Sequence, residues 1–186
     1  MHILPTALPG CFQIVPNVLR DARGSFVKVF HEDVFRAHGL ATAYAEEYYS
    51  VSRRGVLRGL HFQTPPMAHV KLVYCAQGAV LDAAVDLRVG SPTFGRHLLC
   101  ELSADNGHML YLAAGVAHGF YTLSEQALMV YKVTSTYSQP HDGGILWNSA
   151  GIAWPDAEPV LSARDQQFAP LPAFASPFTF EESRHD

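Results

Sequence analysis

Six polar side chains lie inside stretches that otherwise have the composition of β-strands. They are His61, His69, Lys71, Asp82, His118 and Tyr131. Imidazole, ammonium, phenol and carboxylate groups are those that enzymes use to move protons and to stabilise developing charge. Because successive side chains of a strand point to opposite faces, His69 and Lys71 share one face, and so do His61 and Gln63. We therefore predict a polar cavity inside a β-barrel.

Two other interpretations of the same residues stay open at this point. The polar faces can simply meet water, as one face of an antiparallel sheet commonly does. Alternatively, His61, His69 and His118 have the number of nitrogen ligands that a zinc or iron site needs. The recurrence of such residues in several strand-like stretches favours the shared cavity.

The stretches that carry these residues are short, rich in Val, Leu, Phe, Tyr and Thr, and separated by turn-forming residues, which is typical of an all-β protein. Alternation is clearest over residues 79–88, where an apolar face with Leu81 and Val85 opposes a polar face with Asp82 and Asp86. Strands are predicted at 26–30, 56–63, 70–75, 79–88, 94–102, 109–112, 119–123, 128–134 and 145–147. Short helices are predicted at 31–38 and 162–168, both covering the sheets.

The composition indicates a single folded domain of 186 residues. Charged residues make up 16% of the chain, below the usual level of about 25%, which excludes disorder driven by charge. We expect residues 1–186 to form one domain, in which the Pro-rich tail from about 155 to 186 packs on the core with a short helix.

Charge and hydropathy exclude two classes of partner. Thirteen Lys and Arg against seventeen Asp and Glu give a net charge of −4. No basic block is present, so nucleic acid is not an expected partner. No apolar run approaches the about 20 residues that span a bilayer, and the N-terminus lacks the pattern of a secretory signal. We therefore expect a cytoplasmic protein without a membrane segment.

One stretch resembles a cupin. Residues 107–118, GHMLYLAAGVAH, have the spacing of the second cupin motif, with Ala113 where that motif usually carries Pro. Metal cupins supply further ligands through a His-x-His motif, and here His61 is followed two residues later by Gln63. The usual set of metal ligands is therefore incomplete.

Seven motifs together resemble those of the dTDP-4-dehydrorhamnose 3,5-epimerase family, in order and spacing over residues 10 to about 172. They are GVLRGLHFQ (55–63), KLV (71–73), DAAVDLR (82–88), SPTFG (91–95), GVAHGF (115–120), YK (131–132) and GILWN (144–148). The resemblance implies an all-β, cupin-type jelly roll (a double-stranded β-helix) with a few short helices and without metal or other cofactor. It also implies a homodimer that inverts carbon 3, carbon 5 or both in a nucleotide-linked 4-keto-6-deoxyhexose.

The resemblance implies catalytic roles for six residues. His61 is similar to the general base, Asp165 to its partner, Lys71 to the cation that stabilises the enolate oxygen, Tyr131 to the acid that returns a proton from the opposite face, and His118 with Asp82 to a second His–Asp pair. Ser162 and Asp165 also have the spacing of a capping box, so Asp165 could instead cap its own helix.

The resemblance assigns nine residues to substrate binding: Arg23, Phe26, Lys28, Glu46, Tyr48, Arg58, Gln63, His69 and Tyr137. Arg23 and Arg58 match positions that hold the pyrophosphate, which suits the planar guanidinium. Strict alternation would place Arg58 opposite His61. Either Gly59 marks a bulge, or Arg58 acts from the other side.

Five positions depart from the pattern of many relatives. Glu46, Tyr48 and His69 stand where Gln, Asn and Gln are common, Lys28 where an acid is common, and Tyr74 where Arg is common. We expect these residues in or beside the substrate pocket, where they affect specificity. The alternatives left open are an epimerase of one carbon only or of a different nucleotide sugar, a non-catalytic sugar-binding cupin, and a metal-dependent cupin.

Overall fold

The computed structural model describes residues 1–181, which form thirteen β-strands and one α-helix. The strands are β1 (His2–Pro5), β2 (Phe12–Val15), β3 (Val18–Asp21), β4 (Gly24–Val27), β5 (Glu46–Arg53), β6 (Leu57–Gln63), β7 (Lys71–Gln77), β8 (Ala79–Asp86), β9 (His97–Ser103), β10 (Met109–Leu112), β11 (Val116–Thr122), β12 (Gln126–Val133) and β13 (Asp142–Gly144). The helix α1 spans Glu32–Ala37, and 3-10 helices span Gln139–His141 and Leu171–Ala173.

Two antiparallel sheets make up the body of the fold. The order of strands is β1-β2-β10-β7-β12-β5 in the first sheet and β13-β6-β11-β8-β9 in the second, and β3 and β4 form a separate hairpin. Neighbours such as β2 and β10 are far apart along the chain, as in a jelly roll. The predicted all-β, cupin-type jelly roll is confirmed.

The space between the sheets is apolar in one half and polar in the other. Val73, Leu110 and Phe120 belong to a buried cluster that fills the first half. Lys71 lies two residues from Val73 on the same face, and His118 lies two residues from Phe120, so the same strands line both halves. The alternation of each strand therefore builds the apolar core and the polar cavity together.

Both faces of β8 are buried, which differs from the interpretation that its polar face meets water. Asp82 and Asp86 have no exposed surface. Ala83 and Val85, on the opposite face, pack against a second cluster outside the sheet. Polar residues on β8 are thus interior groups with partners, not solvent-facing ones.

The structure corrects several predicted strand boundaries. Residues 145–147 are not a strand: the strand ends at Gly144, the last backbone hydrogen bonds to β6 are those between Ile145 and Leu60, and the chain then turns. The segment 26–30 is a strand only as far as Val27. Strands β1, β2, β3 and β5 were not predicted. The first three have four residues each, which is too short for a periodic signal, and β5 carries polar residues on its inner face.

Helix α1 confirms the helix predicted at 31–38. It buries Phe35 against the outer face of the first sheet, together with Ile14, Leu72 and Met109. The chain leaves the helix at Gly39, whose φ of +67° suits glycine at a helix C-terminus.

The helix predicted at 162–168 is wrong: the segment is a turn. One backbone hydrogen bond has α-helical spacing, from Gln166 N–H to Ser162 C=O. The next, from Gln167 N–H to Arg164 C=O, spans three residues, as in a turn. The chain then departs because Phe168 packs against Gly144, and because Pro170 and Pro172 do not continue a helix.

The tail crosses the outer face of the second sheet. Phe174 and Phe178 pack against Phe62, and Val89 bridges to Thr179. This packing agrees with the expected position of the tail up to residue 181, and its last five residues lie outside the described part. Within residues 1–181, no helix has the length and apolar character needed to cross a membrane.

Candidate active site

A cavity of about 360 Å³ opens into the polar half of the space between the sheets. Ten of the residues expected to be functional line it: Glu46, Tyr48, Arg58, His61, Gln63, His69, Lys71, His118, Tyr131 and Tyr137. Asp82 and Asp165 lie behind two of these side chains. The predicted interior cavity is therefore confirmed.

His61 and Asp165 form a hydrogen-bonded pair at the wall of the cavity. His61 Nε2 is 2.7 Å from Asp165 Oδ1, and Gly59 N–H donates to Asp165 Oδ2. Asp165 N–H also donates to Ser162 Oγ, so the capping bond exists although the helix does not. Since Nε2 is engaged, Nδ1 is the ring nitrogen that remains for a molecule in the cavity.

Burial sets the protonation state of this pair. It lowers the pKa of His61 from its usual value of 6.5, and the hydrogen bond and charge of Asp165 only partly counteract it. Burial acts to raise the pKa of Asp165, but the hydrogen bonds from His61 and Gly59 outweigh it and lower the pKa. At neutral pH the pair is therefore a neutral imidazole beside a carboxylate, which is the state of a general base.

A second His–Asp pair lies beside the first, on the neighbouring strand. His118 Nε2 lies 2.8 Å from Asp82 Oδ2, and both side chains are buried. His118 and His61 are directly paired across β11 and β6. The register of these two strands thus brings both imidazoles to one wall.

Lys71 is the buried cation of the cavity. Its side chain is 7% exposed, and Nζ donates to the His61 carbonyl over 3.2 Å. Burial lowers the pKa of Lys71 to about 8, although Asp142 and Asp82 act to raise it. The ammonium form still predominates at pH 7, and two of its three N–H groups are left for another acceptor.

Tyr131 lies on β12. Its hydroxyl is 3.0 Å from Ser50 Oγ. Its ring stacks on Tyr48 with centroids 4.8 Å apart, and meets the edge of His118 at 6.0 Å. Burial raises the pKa of Tyr131 strongly, so the phenol stays protonated at neutral pH and can act as an acid.

A bulge at Gly59 brings Arg58 and His61 to the same cavity, which answers the question that strict alternation left open. Gly59 has φ +140°, and the pairing of β6 with β11 shifts its register at this point. A Cβ at position 59 would lie 2.6 Å from Gly119 Cα. Arg58 Nε donates to Ser52 Oγ, and Nη2 donates to the Val51 carbonyl. Both partners are uncharged, so the positive charge of Arg58 is available to an anion.

Two of the predicted binding residues also hold the cavity wall together. Gln63 Oε1 accepts from Ser138 N–H at 2.6 Å, and its Nε2 donates to the Thr136 carbonyl. Glu46 Oε2 accepts from Tyr137 N–H at 2.7 Å. His69 is neutral, because burial lowers its pKa to about 4.

Three residues predicted to bind substrate lie outside the cavity of their own chain. Arg23 and Phe26 line a surface depression of about 430 Å³ on the β3–β4 hairpin, and Lys28 follows β4 and is exposed. Arg23 pairs there with Asp21. Tyr74 is also outside, since it packs on the outer face of the first sheet. Of the five departures, Glu46, Tyr48 and His69 line the cavity, whereas Tyr74 and, within its own chain, Lys28 lie outside it.

Three further polar residues line the cavity and are not among those predicted from the sequence: Ser50, Asp142 and Arg164. Asp142 and Arg164 form an ion pair of 2.7 Å between β13 and the turn that carries Asp165. Period-two alternation from Tyr48 would have identified Ser50 if β5 had been recognised as a strand.

His61, His69 and His118 are not arranged to bind one metal ion together. Across the described residues, no group of three or more His, Cys, Asp or Glu side chains is arranged to hold a metal ion. His61 and His118 each direct one ring nitrogen to a carboxylate, and His69 Nδ1 lies 3.1 Å from Ser135 Oγ.

Comparison with known proteins identifies the family. Residues 5–173 match the family model described as dTDP-4-dehydrorhamnose 3,5-epimerase. The chain is 44% identical to dTDP-4-dehydrorhamnose 3,5-epimerase of Salmonella typhimurium, over 92% of this chain and 95% of the relative. It is 39% identical to dTDP-4-dehydrorhamnose 3-epimerase of Streptomyces niveus, over 89% of this chain and 82% of the relative.

Solved structures agree with this match. The dTDP-6-deoxy-D-glucose-3,5-epimerase of Legionella pneumophila, solved in complex with dTDP-4-keto-L-rhamnose, is 32% identical to the chain with a TM-score of 0.92. The alignment covers 97% of this chain and 99% of that one. With its jelly roll and a family match over nearly its whole length, the chain belongs to the dTDP-4-dehydrorhamnose 3,5-epimerase family.

Proposed function

We propose that this chain is an isomerase that inverts carbons 3 and 5 of a dTDP-linked 4-keto-6-deoxyhexose. The observation that carries the proposal is the His61–Asp165 pair, which lines one cavity together with Lys71 and Tyr131. Epimerisation beside a ketone needs a base at the carbon, positive charge at the oxygen, and an acid on the other face. Those groups are present, and none of the steps below uses a cofactor.

In the first half of the reaction, His61 Nδ1 takes the proton from the carbon beside the ketone. The electron pair of the C–H bond moves to the carbonyl oxygen, which becomes an enolate. Asp165 stabilises the imidazolium that forms, and the Lys71 ammonium stabilises the enolate oxygen. We propose that His118, held by Asp82 through Nε2, contacts the sugar through Nδ1, which can accept a hydrogen bond from a sugar hydroxyl.

In the second half, Tyr131 donates its phenolic proton to the opposite face of the carbon, which inverts the configuration. The phenolate and the imidazolium then exchange protons with water and return to their starting states. The raised pKa of Tyr131 supports this role, since the phenol retains its proton until the enolate forms.

Arg58 is the cation that we assign to the diphosphate of the nucleotide. Its guanidinium lines the cavity and is held only by uncharged partners within residues 1–181. Glu46, Tyr48, Gln63, His69 and Tyr137 line the same cavity and are proposed to contact the sugar nucleotide or to shape its site.

We further propose a homodimer in which the β3–β4 hairpin completes the partner's site. Arg23 and Phe26 resemble substrate-binding residues, yet they lie on an exposed hairpin away from their own cavity. Phe26 is 63% and Leu19 is 62% exposed, which suits a surface that is covered by another copy. Lys28, at the end of the hairpin, is assigned to the same contact.

The tail beyond residue 154 is proposed to belong to the same single domain as the sheets. Its packing on Phe62 supports this. A cytoplasmic location is proposed as well, since the relatives that the chain matches are enzymes that convert nucleotide sugars.

The second candidate is an epimerase of one carbon only. The relative from Streptomyces niveus is named as a 3-epimerase and is 39% identical to this chain. Incubation with a dTDP-4-keto-6-deoxyhexose in heavy water, followed by NMR, distinguishes the two candidates. Deuterium and inversion at both carbons support the 3,5-epimerase, deuterium and inversion at only one of the two carbons support the second candidate, and no exchange at either carbon contradicts both.

A further inference from the structure

The inner face of β5 contacts a series of residues that the reaction needs. Strand β5 is an edge strand paired with β12, and its alternate residues 46, 48, 50 and 52 face the interior. Glu46 binds the Tyr137 backbone, Tyr48 stacks on the Tyr131 ring, Ser50 binds the Tyr131 hydroxyl, and Ser52 binds the Arg58 guanidinium. Each inner residue of the strand thus holds one group of the site.

Ser50 is the member of this series that contacts a reacting atom of the mechanism. Its Oγ lies 3.0 Å from the Tyr131 hydroxyl oxygen, and it is the one hydrogen-bond partner of that oxygen within residues 1–181. The register fixes this contact, because Tyr131 pairs with Tyr48 and Met129 pairs with Ser50 on the neighbouring strand. The stack on Tyr48 restrains the ring, and the bond to Ser50 restrains the hydroxyl.

Proton return creates a charge that this hydroxyl can stabilise. When Tyr131 gives its proton to the carbon, the electron pair of the O–H bond stays on the phenolic oxygen as a phenolate. That oxygen lies on a side chain that is 7% exposed, where an unpaired negative charge is costly. A serine hydroxyl can accept from the phenol before the step and, after rotation about its C–O bond, donate to the phenolate.

We propose that Ser50 is a positioning residue for proton return: it orients the Tyr131 hydroxyl and donates a hydrogen bond to the phenolate that the step leaves. This inference rests on the proposed function, since it concerns the acid of that reaction. Burial raises the pKa of Tyr131, and the hydrogen bond from Ser50 acts in the opposite direction. Loss of the Ser50 hydroxyl therefore makes the phenol a weaker acid.

The test compares Ser50→Thr with Ser50→Val. Thr and Val have nearly the same shape and both suit a strand, but Thr alone keeps the hydroxyl. The measurement is the rate of inversion at carbon 5 and the rate of deuterium exchange with retention at the same carbon, both by NMR in heavy water. A hydrogen bond to a charged group corresponds to about 10- to 100-fold in rate. We expect Ser50→Val to lower inversion relative to exchange by that factor and Ser50→Thr to restore the wild-type ratio.

Ser52→Ala is the matched control on the same face of β5. Since Ser52 holds Arg58, this variant is expected to raise KM and to leave the ratio of inversion to exchange unchanged. If Ser50→Val does not fold, Ser50→Ala replaces it in the comparison with Thr. Equal ratios for the hydroxyl-bearing and hydroxyl-free variants would overturn the role of Ser50. Failure of the proposed function gives a different result, because the wild-type protein would then show no deuterium exchange at either carbon beside the ketone.

Discussion

At the scale of single residues, burial gives His61 and Lys71 complementary protonation states. It lowers the pKa of His61 below 6.5 and that of Lys71 to about 8. Between these values the imidazole is free to accept a proton while the ammonium is still charged. The proposed reaction needs both states at once, since in it the base acts at the carbon and the cation at the oxygen.

These directions predict a bell-shaped pH dependence of kcat/KM. Activity rises with pH as His61 loses its proton, with a midpoint below 6.5, and falls as pH increases through about 8, where Lys71 loses its own. Steady-state kinetics over the pH range of stability measures this. A profile of kcat/KM that stays level well above pH 8 would contradict the prediction that activity depends on a Lys71 ammonium with a lowered pKa.

Replacement of Lys71 by Met tests the cation directly. Met is similar in length and apolar, but supplies neither charge nor N–H donor to the enolate oxygen. Loss of one such donor costs on the order of 10²–10³ in kcat, and we expect a loss of that size. Because the lowered pKa shows that folding disfavours the Lys71 ammonium, the variant should keep or gain thermal stability. Wild-type kcat in Lys71→Met would contradict the assignment.

Sequence patterns could identify most of these side chains, but not their contacts. Residues such as Lys71 and His118 are conspicuous because polar groups interrupt apolar strands. The ion pair of Asp142 with Arg164 joins β13 to the tail turn, and nothing in the spacing of these residues reveals that contact.

At the scale of elements, the bulge at Gly59 decides the composition of the site. A regular strand β6 would turn Arg58 away from His61, and the bulge directs both into the cavity. The sequence posed this alternative without resolving it, since a glycine inside a strand is compatible with a bulge but does not require one. Strand β5 was not predicted for a related reason: its inner face lines the cavity and is polar, so the strand has no apolar alternation.

We expect Gly59→Ala to reduce kcat/KM by about 10²-fold or more, since displacement of a catalytic group by about 1 Å has an effect of this size. The added Cβ would meet Gly119 Cα at 2.6 Å, so the backbone must shift where Arg58 and His61 are held. Gly39→Ala is the control: it also places Ala at a positive φ, but nothing lies within 4 Å. Kinetics and thermal denaturation of both variants separate the site effect from backbone strain. Equal activity in the two variants would argue against the bulge as a determinant.

At the scale of the whole molecule, the cavity of one chain lacks part of the expected binding set. The β3–β4 hairpin carries Arg23 and Phe26 on its exposed surface. A resemblance in sequence assigns residues to a site but does not say which copy supplies them. Whether these two residues complete the cavity of a partner is therefore a question that patterns within one chain could not answer.

The dimer proposal predicts that two defective variants restore each other. Arg23→Ala lacks the hairpin cation and is expected to be weakly active alone, and His61→Asn lacks the base and is expected to be inactive alone. In a mixed dimer, the cavity of the Arg23→Ala chain receives the intact hairpin of the other chain. With random exchange of subunits, about a quarter of the wild-type activity should return. An activity of the mixture no greater than the sum of its parts would show that each hairpin does not act in the partner's cavity.

The proposed function depends on removal by His61 of a proton beside a ketone, and this step can be measured by solvent exchange. His61→Asn keeps a polar side chain of similar size but supplies no base. Wild-type protein and variant are each incubated with a dTDP-4-keto-6-deoxyhexose in heavy water, and deuterium at carbons 3 and 5 is followed by NMR. We predict deuterium at both carbons with the wild-type protein and none above background with His61→Asn. Full exchange in the variant would exclude His61 as the base.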